Sequence, residues 1–342
     1  MHISNKRVLI FGGTGSLGRS LIRRLVNDNE VIVFSRDEAK HWTIKNELGH
    51  RSLFHEVGDI RDRQRVFEVV GRHRPNVILI ASALKQVDTC ENTPNESIQT
   101  NILGIGNVVD ATIENEAKLG DLEAVTMIST DKACAPTNVY GMCKALAERI
   151  VTNASRQHNF TRFIGVRYGN VLQSRGSIIP LFKWQAQNLD TLTVTHEDMT
   201  RYVMTLDQSI DLILKAVATA ESGEIFLPRL RSMRIIDLAQ IFAKRFGKGI
   251  VITGIRPGEK LHEELISPSE SLRVTLENDV YRMRPSHSEI SNDAPIFSYM
   301  SDDDVMPQDE LEAYLESIGV FTSSLDDYVG NTIEEIDVSR DG

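Results

Sequence analysis

Four residues near the middle of the chain have types and spacing suited to proton transfer. Tyr140 and Lys144 are four positions apart, so on a helix they share one face. A tyrosine becomes a base near neutrality only when its phenolate is favoured, and a neighbouring ammonium does this. Such a pair suits removal of a proton from a hydroxyl while a hydride leaves the same carbon. Just upstream, Asp131-Lys132 follows Ser129-Thr130. Once a hydroxyl-bearing carbon becomes a ketone, the adjacent C–H is acidic, because its carbanion delocalises into the carbonyl. A base must take that proton and an acid must help a hydroxyl leave one carbon further on; an Asp-Lys pair can supply acid and base, a lysine base only when neutral. Such a lysine must be held neutral by desolvation or nearby positive charge. The set suits oxidation coupled to elimination, whereas oxidation alone needs only Tyr140 and Lys144.

Hydride transfer needs an acceptor, and the start of the chain offers a place for one. Gly12-Gly13-Thr14-Gly15-Ser16-Leu17-Gly18 lies between an apolar run, Arg7–Phe11, and a run with leucines at helical spacing. Gly12 suits a tight turn, Gly15 lets a pyrophosphate approach the backbone, and Gly18 allows close packing of helix on strand. The helix N-terminus then points unpaired N–H groups at the phosphates. The second β-branched run ends in Ser35-Arg36-Asp37, with Lys40 one turn on. A hydroxyl and a guanidinium there suit a 2′-phosphate, so NADP is expected. Asp37 would instead suit a ribose hydroxyl if the register shifts by a residue or two. Asp59 suits either the adenine amino group or a helix N-cap, with Ile60 and Ala81 as further cofactor contacts.

The elements that must position these residues follow from hydrophobic periodicity. Short apolar runs at 7–11, 30–35, 76–80, 124–129 and 162–167 alternate with helical patterns at 16–27, 61–71, 95–118 and 139–153. This predicts an α/β fold, a Rossmann-type doubly wound parallel sheet, with ligands at the carboxyl ends of the strands. Residues 5–170 form the predicted dinucleotide domain. Past Gly169 the texture is less regular, predicting a smaller C-terminal substrate lobe over 171–320, interwoven with the first domain, and an acidic mobile tail over 323–342.

Composition narrows the function. The 342 residues carry a formal net charge of −10, which argues against nucleic acid or an anionic membrane as partner. Three cysteines without a CxxC pair argue against a disulfide framework or zinc site, and the nine histidines show no metal spacing. The longest apolar stretch is far too short for a bilayer, and the N-terminus lacks the pattern of a signal peptide, so a cytoplasmic location is expected.

The glycine loop, Ser129-Thr130, Tyr140 and Lys144 together resemble the short-chain dehydrogenase/reductase superfamily. That resemblance implies that Thr130 bonds the reacting oxygen. Ser129-Thr-Asp-Lys-Ala, Pro136-Thr-Asn-Val-Tyr-Gly, Val166-Arg-Tyr-Gly-Asn-Val and Ser174-Arg-Gly-Ser sharpen it. So do Ala83-Leu-Lys-Gln-Val, Thr100-Asn-Ile-Leu-Gly, Met199-Thr-Arg-Tyr and Ile255-Arg-Pro-Gly-Glu-Lys. These segments look like the inverting UDP-N-acetylglucosamine 4,6-dehydratases of bacterial surface-polysaccharide and flagellin-sugar pathways. The resemblance implies Asp131 as the acid at the C6 hydroxyl, Lys132 as the C5 base, NADP recycled within each turnover, inversion at C5 and a hexamer. Met142-Cys143 departs from the family pattern of small residues and threonine. A nucleotide diphosphate needs local positive charge. Arg256 suits bidentate phosphate contact and Glu259 ribose hydroxyls, with Arg201 a second diphosphate candidate and Asn170 and Lys85 near phosphate or sugar. A nucleotide-sugar 4-epimerase or reductase, or a non-catalytic NADP-sensing protein, are the competing readings.

Overall fold

The computed structural model describes residues 2–172, 176–290 and 294–323 and divides them into two units. The first comprises the chain through Tyr168, Asp207–Arg229 and Ile266–Ser298. Its strands β1 (Arg7–Phe11), β2 (Glu30–Ser35), β3 (Leu53–Val57), β4 (Val77–Ile80), β5 (Ala124–Ile128) and β6 (Arg162–Val166) pair in parallel in the order β3-β2-β1-β4-β5-β6. Ile225–Pro228 adds in parallel beside β6, and the antiparallel strands Val280–Met283 and Val274–Glu277 complete nine. The central strands are continuous apolar runs because both sheet faces are covered; Val8, Leu9, Ile10 and Phe11 are all fully buried. One core cluster joins Phe11, Phe34, Val66, Ile78, Ile105, Val125, Val151 and Phe163. The strand order reverses between β1 and β4, so the crevice beyond their carboxyl ends is the expected ligand position.

Helix α1 (Ser16–Leu25) follows the glycine loop, α2 (Glu38–Leu48) runs from its cap Asp37 to Gly49 in the left-handed region, and α3 (Arg63–His73) starts at its cap Asp62. The long helix expected over 95–118 is not continuous. It breaks into Pro94–Ile98, a π-helical turn Gln99–Leu103, Gly104–Glu114 and a 3-10 turn Glu116–Lys118. The wide turn serves Asn101, which is buried and clamps the loop after β4: its Oδ1 accepts from Leu84 N at 2.9 Å and its Nδ2 donates to Leu84 O at 2.8 Å.

The second unit comprises Gly169–Leu206, Leu230–Leu265 and the chain from Tyr299 onward. Helices Ile178–Asn188, Ile235–Phe246 and Gln308–Ser317 and two small strand pairs surround a separate core containing Phe182, Leu238, Phe242, Leu311 and Leu315. Residues Ser174 and Arg175 of the SRGS segment, and the tail beyond Ser323, lie outside the described residues. Among the described residues no helix is long and apolar enough to cross a membrane.

Candidate active site

The glycine loop closes against the first residues after β4. Gly12 has φ +81°, and a Cβ there would stand 2.7 Å from Ser82 N, so only glycine fits. At Gly18 a Cβ would meet the Gly13 Cα at 2.5 Å, which shows α1 packed tightly on its own loop. Gly15 differs: a Cβ would find only the Gly12 carbonyl, at 3.4 Å, so the backbone there lies open. As N-cap of α1 it supplies no side-chain bond to the helix N-terminus. An open backbone at an uncapped helix start fits a pyrophosphate, so the residues present suit a dinucleotide.

Around it, the Thr14 hydroxyl donates to Ser35 Oγ at 2.9 Å, and Ser35 Oγ lies 2.9 Å from His41 Nε2. His41 Nδ1 in turn meets His55 Nδ1 at 2.9 Å, and burial holds both rings below the usual histidine value. Arg36 pairs with Asp59 at 3.7 Å, and Lys40 with Asp37 at 3.1 Å. Asp37 caps α2 by accepting from Lys40 N at 3.0 Å. Asp59 does not cap α3, a task that falls to Asp62. It accepts from Arg61 Nε at 2.9 Å and Nη2 at 2.7 Å, bonds that outweigh burial and lower its pKa. The Ile60 side chain is buried in the core, and Ala81 N donates to Phe11 O at 2.9 Å.

The four residues expected from sequence to transfer protons, Asp131, Lys132, Tyr140 and Lys144, come from two adjacent elements. β5 ends at Ile128, and Thr130 caps the 3-10 turn Asp131–Ala133. The Thr130 hydroxyl donates to Asp131 Oδ1 at 2.8 Å, and Lys132 Nζ donates to the same oxygen at 3.2 Å. Asp131 is 1% exposed. The helix Val139–Gln157 begins at the buried cap Asn138, whose Oδ1 accepts from Gly141 N at 2.8 Å. It packs on the turn so closely that a Cβ at Gly141 would lie 2.1 Å from Lys132 O. That contact brings Tyr140 to Thr130 and Lys132.

Burial pushes the Tyr140 phenol up to about 12; Lys132 and the hydrogen bond to Thr130 pull it down, and Asp131 pushes it up. Lys144, 2% exposed, sends its ammonium to Ile128 O at 2.5 Å, and burial lowers it to about 8. Lys132 is thus a cation that acts on the phenol, while the Lys144 ammonium reaches the Ile128 carbonyl. Met142, part of the departure from the family pattern, is 53% exposed. Asn101, Asn138 and Gly141 were not singled out from sequence as positioning residues. A buried helix-cap asparagine and a glycine directly after the tyrosine were the available signals.

Lys85 is exposed in the first unit, on the loop that Asn101 clamps. The other residues expected to bind substrate belong to the second. Asn170 buries an Oδ1 without a hydrogen-bond partner. Arg201 Nη1 donates to Thr200 O at 2.7 Å and Leu261 O at 3.2 Å, and its Nε lies 3.7 Å from buried Glu263. Arg256 and Glu259 share one turn, in which Glu259 Oε2 accepts from Arg256 N at 3.3 Å and the Arg256 guanidinium is exposed.

A family described as polysaccharide biosynthesis protein matches residues 8–285. The chain is 38% identical to the capsular polysaccharide biosynthesis protein CapD of Staphylococcus aureus, over 84% of this chain but 49% of that protein, so it spans about half of CapD. It is 37% identical to an inverting UDP-N-acetylglucosamine 4,6-dehydratase of Campylobacter jejuni, over 83% of this chain and 84% of that one. It is also 38% identical to a UDP-glucose 4-epimerase of Rickettsia canadensis, over 82% and 83%. The X-ray structure of Pen from Bacillus thuringiensis superposes with a TM-score of 0.86 at 33% identity, covering 94% of this chain and 99% of that one.

Two solved dTDP-glucose 4,6-dehydratases share the fold at lower identity. DesIV from Streptomyces venezuelae has TM-score 0.67 at 20% identity, over 75% of this chain and 86% of that one. The Bacillus anthracis enzyme has 0.63 at 16%, over 74% and 86%. Both are complexes with NAD, which overturns the NADP expected from Ser35, Arg36 and Lys40. The geometry supplies the reason: both cations are already paired with carboxylates, and the Ser35 hydroxyl is engaged by Thr14 and His41. Acidic groups at the end of β2 disfavour a 2′-phosphate. Over the matched length, the chain belongs to the polysaccharide biosynthesis protein family, extended short-chain dehydrogenase/reductases that carry out NAD(P)-dependent chemistry on nucleotide sugars.

Proposed function

We propose that the chain catalyses 4,6-dehydration of a nucleotide-activated hexose, UDP-N-acetylglucosamine, to a 4-keto-6-deoxy sugar inverted at C5. The observation that carries this reading is the Asp131–Lys132 contact of 3.2 Å on the turn that also presents Thr130 to Tyr140. Tyr140 takes the C4 hydroxyl proton, helped by Lys132 and by the Thr130 hydroxyl. A dinucleotide held by the glycine loop Gly12–Gly18 would supply the hydride acceptor for C4 and the hydride donor for C6, and its positive charge would favour the phenolate. Lys132 takes the C5 proton, and Asp131 delivers one to the departing C6 hydroxyl, which leaves as water. The pair shares one proton, which passes from Lys132 to Asp131 before each elimination; hydride addition at C6 leaves C5 to be protonated from solvent on the opposite face, and Tyr140 returns the C4 hydroxyl proton to solvent.

Gly12, Thr14, Gly15, Ser16, Leu17 and Gly18 are assigned to the dinucleotide phosphates, with Ser35, Asp59, Ile60 and Ala81 toward the adenosine half. Arg256 and Arg201 are assigned to the diphosphate, Glu259 to ribose, and Asn170 and Lys85 to phosphate or sugar. The unsatisfied Asn170 Oδ1 supports a role in binding a donor group. Self-association is also part of the reading, supported by the exposed pair Met142 and Leu146 on one face of the helix Val139–Gln157.

The test is incubation of the chain with UDP-N-acetylglucosamine and NAD in D2O, followed by NMR. A 4-keto-6-deoxy product deuterated at C5 is expected, with couplings of the inverted sugar. A C4 epimer that keeps its 6-hydroxyl would replace this reading with the epimerase reading, which the Rickettsia relative favours.

A further inference from the structure

A second cluster of charge lies outside the proposed catalytic set. Arg167, just after β6, is buried and holds two carboxylates. Its Nε and Nη2 donate to Glu148 Oε1 and Oε2 at 3.0 and 2.6 Å, and its Nη1 and Nη2 donate to Glu270 Oε2 and Oε1 at 2.9 and 2.8 Å. Glu270 Oε2 also accepts from Cys134 Sγ at 3.2 Å and from the Ser267 hydroxyl at 3.1 Å. Burial raises the Glu270 pKa, but the Arg167 guanidinium outweighs it and the carboxyl falls to about 2. Both carboxylates are thus committed to Arg167.

Glu148 and Glu270 line a shallow open cleft, and Arg149, Arg273 and Arg284 line it with them. Arg273 is only 7% exposed, and its Nη1 donates to the Arg284 carbonyl at 2.6 Å. Among the described residues no carboxylate pairs with Arg149, Arg273 or Arg284 within 4.0 Å. Four guanidiniums therefore face two carboxylates, leaving two positive charges uncompensated in a chain whose net charge is −10. Burial pushes Arg273 below the usual arginine value, and the Arg149 guanidinium adds to this. A buried cation without a counter-charge is costly, and a bound anion offsets that cost. Guanidinium forks match phosphate oxygens two at a time, and Ser286 adds a hydroxyl to the lining. None of the residues assigned to the dinucleotide or to proton transfer lines the cleft.

We propose that the cleft formed by Arg149, Arg273 and Arg284 is a phosphate-binding site, distinct from the dinucleotide loop, that takes a phosphate dianion either free or terminal on a small organic molecule. The full chain, with saturating NAD to fill the dinucleotide loop, is titrated with sodium phosphate and separately with glucose 1-phosphate. Sodium chloride at matched ionic strength is the reference, and binding is followed by calorimetry and thermal unfolding. Saturable binding is expected with phosphate and not with chloride. Arg149→Gln and Arg284→Gln change exposed positions and should fold. Each is expected to weaken binding about tenfold, or about 1.4 kcal/mol. Tighter binding of glucose 1-phosphate identifies an organic phosphate as occupant, and tighter binding of the inorganic ion identifies free phosphate. Equal behaviour in phosphate and chloride, or undiminished binding by the double variant, overturns the proposal.

Discussion

At Tyr140 two opposing effects act on one phenol. Burial raises it to about 12, so the resting group is neutral near pH 7, while Lys132 and Thr130 favour the phenolate. The same lysine touches Asp131, so a single ammonium couples the oxidation base to the elimination pair. Replacing it should therefore damage both steps. We expect Lys132→Ala to lower turnover of UDP-N-acetylglucosamine by at least about 100-fold, the usual scale of a positioned acid or base. NAD affinity in a fluorescence titration should stay at its wild-type value, because Lys132 is not among the residues assigned to the dinucleotide. Wild-type turnover by this variant would remove Lys132 from the chemistry. Lys144 acts differently, through the Ile128 carbonyl that ends β5, and so ties the helix to the strand beneath it.

Among the elements, one packing contact decides whether the cluster exists. The helix Val139–Gln157 meets the turn Asp131–Ala133 through Gly141, where a Cβ would stand 2.1 Å from the Lys132 carbonyl oxygen. Backbone against backbone cannot yield by a rotamer change. Gly141→Ala must move the helix off the turn, and overpacking of this kind costs about 1–3 kcal/mol. The expected result is a lower unfolding temperature together with a kcat reduced at least tenfold, because Tyr140 then loses its approach to Lys132 and Thr130. Full activity in a stably folded Gly141→Ala protein would show that the close contact is dispensable. The π-helical turn at Gln99–Leu103 has a comparable positioning task, since it delivers Asn101 to both polar groups of Leu84, next to Lys85.

For the whole molecule, an exposed apolar face raises the question of assembly. Met142 and Leu146, 53% and 50% exposed, are one helical turn apart on the helix that carries Tyr140 and Lys144. Light scattering on the purified chain should report an oligomer, and Leu146→Glu should shift it toward smaller species by placing a charge in the contact. A wild-type chain that is monomeric at micromolar concentration would sink this expectation.

Much of the first unit was legible in order along the chain. β1, β2 and β4 to β6 are short apolar runs, and both the glycine loop and the Tyr140–Lys144 spacing depend only on local geometry, which sequence states directly. Local geometry also failed in identifiable places. Periodicity over 95–118 suggested one helix, since it cannot register a π turn made to place Asn101. The charges after β2 suggested NADP, because sequence shows Arg36 and Lys40 but not that Asp59 and Asp37 already hold them. The texture past Gly169 suggested a lobe interwoven with the first domain, but not that residues 207–229 and 266–298 are the segments that return to it, since an apolar strand reads alike in either core. Residue types and close spacings by themselves thus pointed to the glycine loop and to the set Asp131, Lys132, Tyr140 and Lys144. Only the tertiary structure decided that Lys132 acts on Tyr140, which charges are already paired, and that Arg149, Arg273 and Arg284 share a cleft. Those facts depend on distances between residues far apart in the chain, which no local spacing encodes.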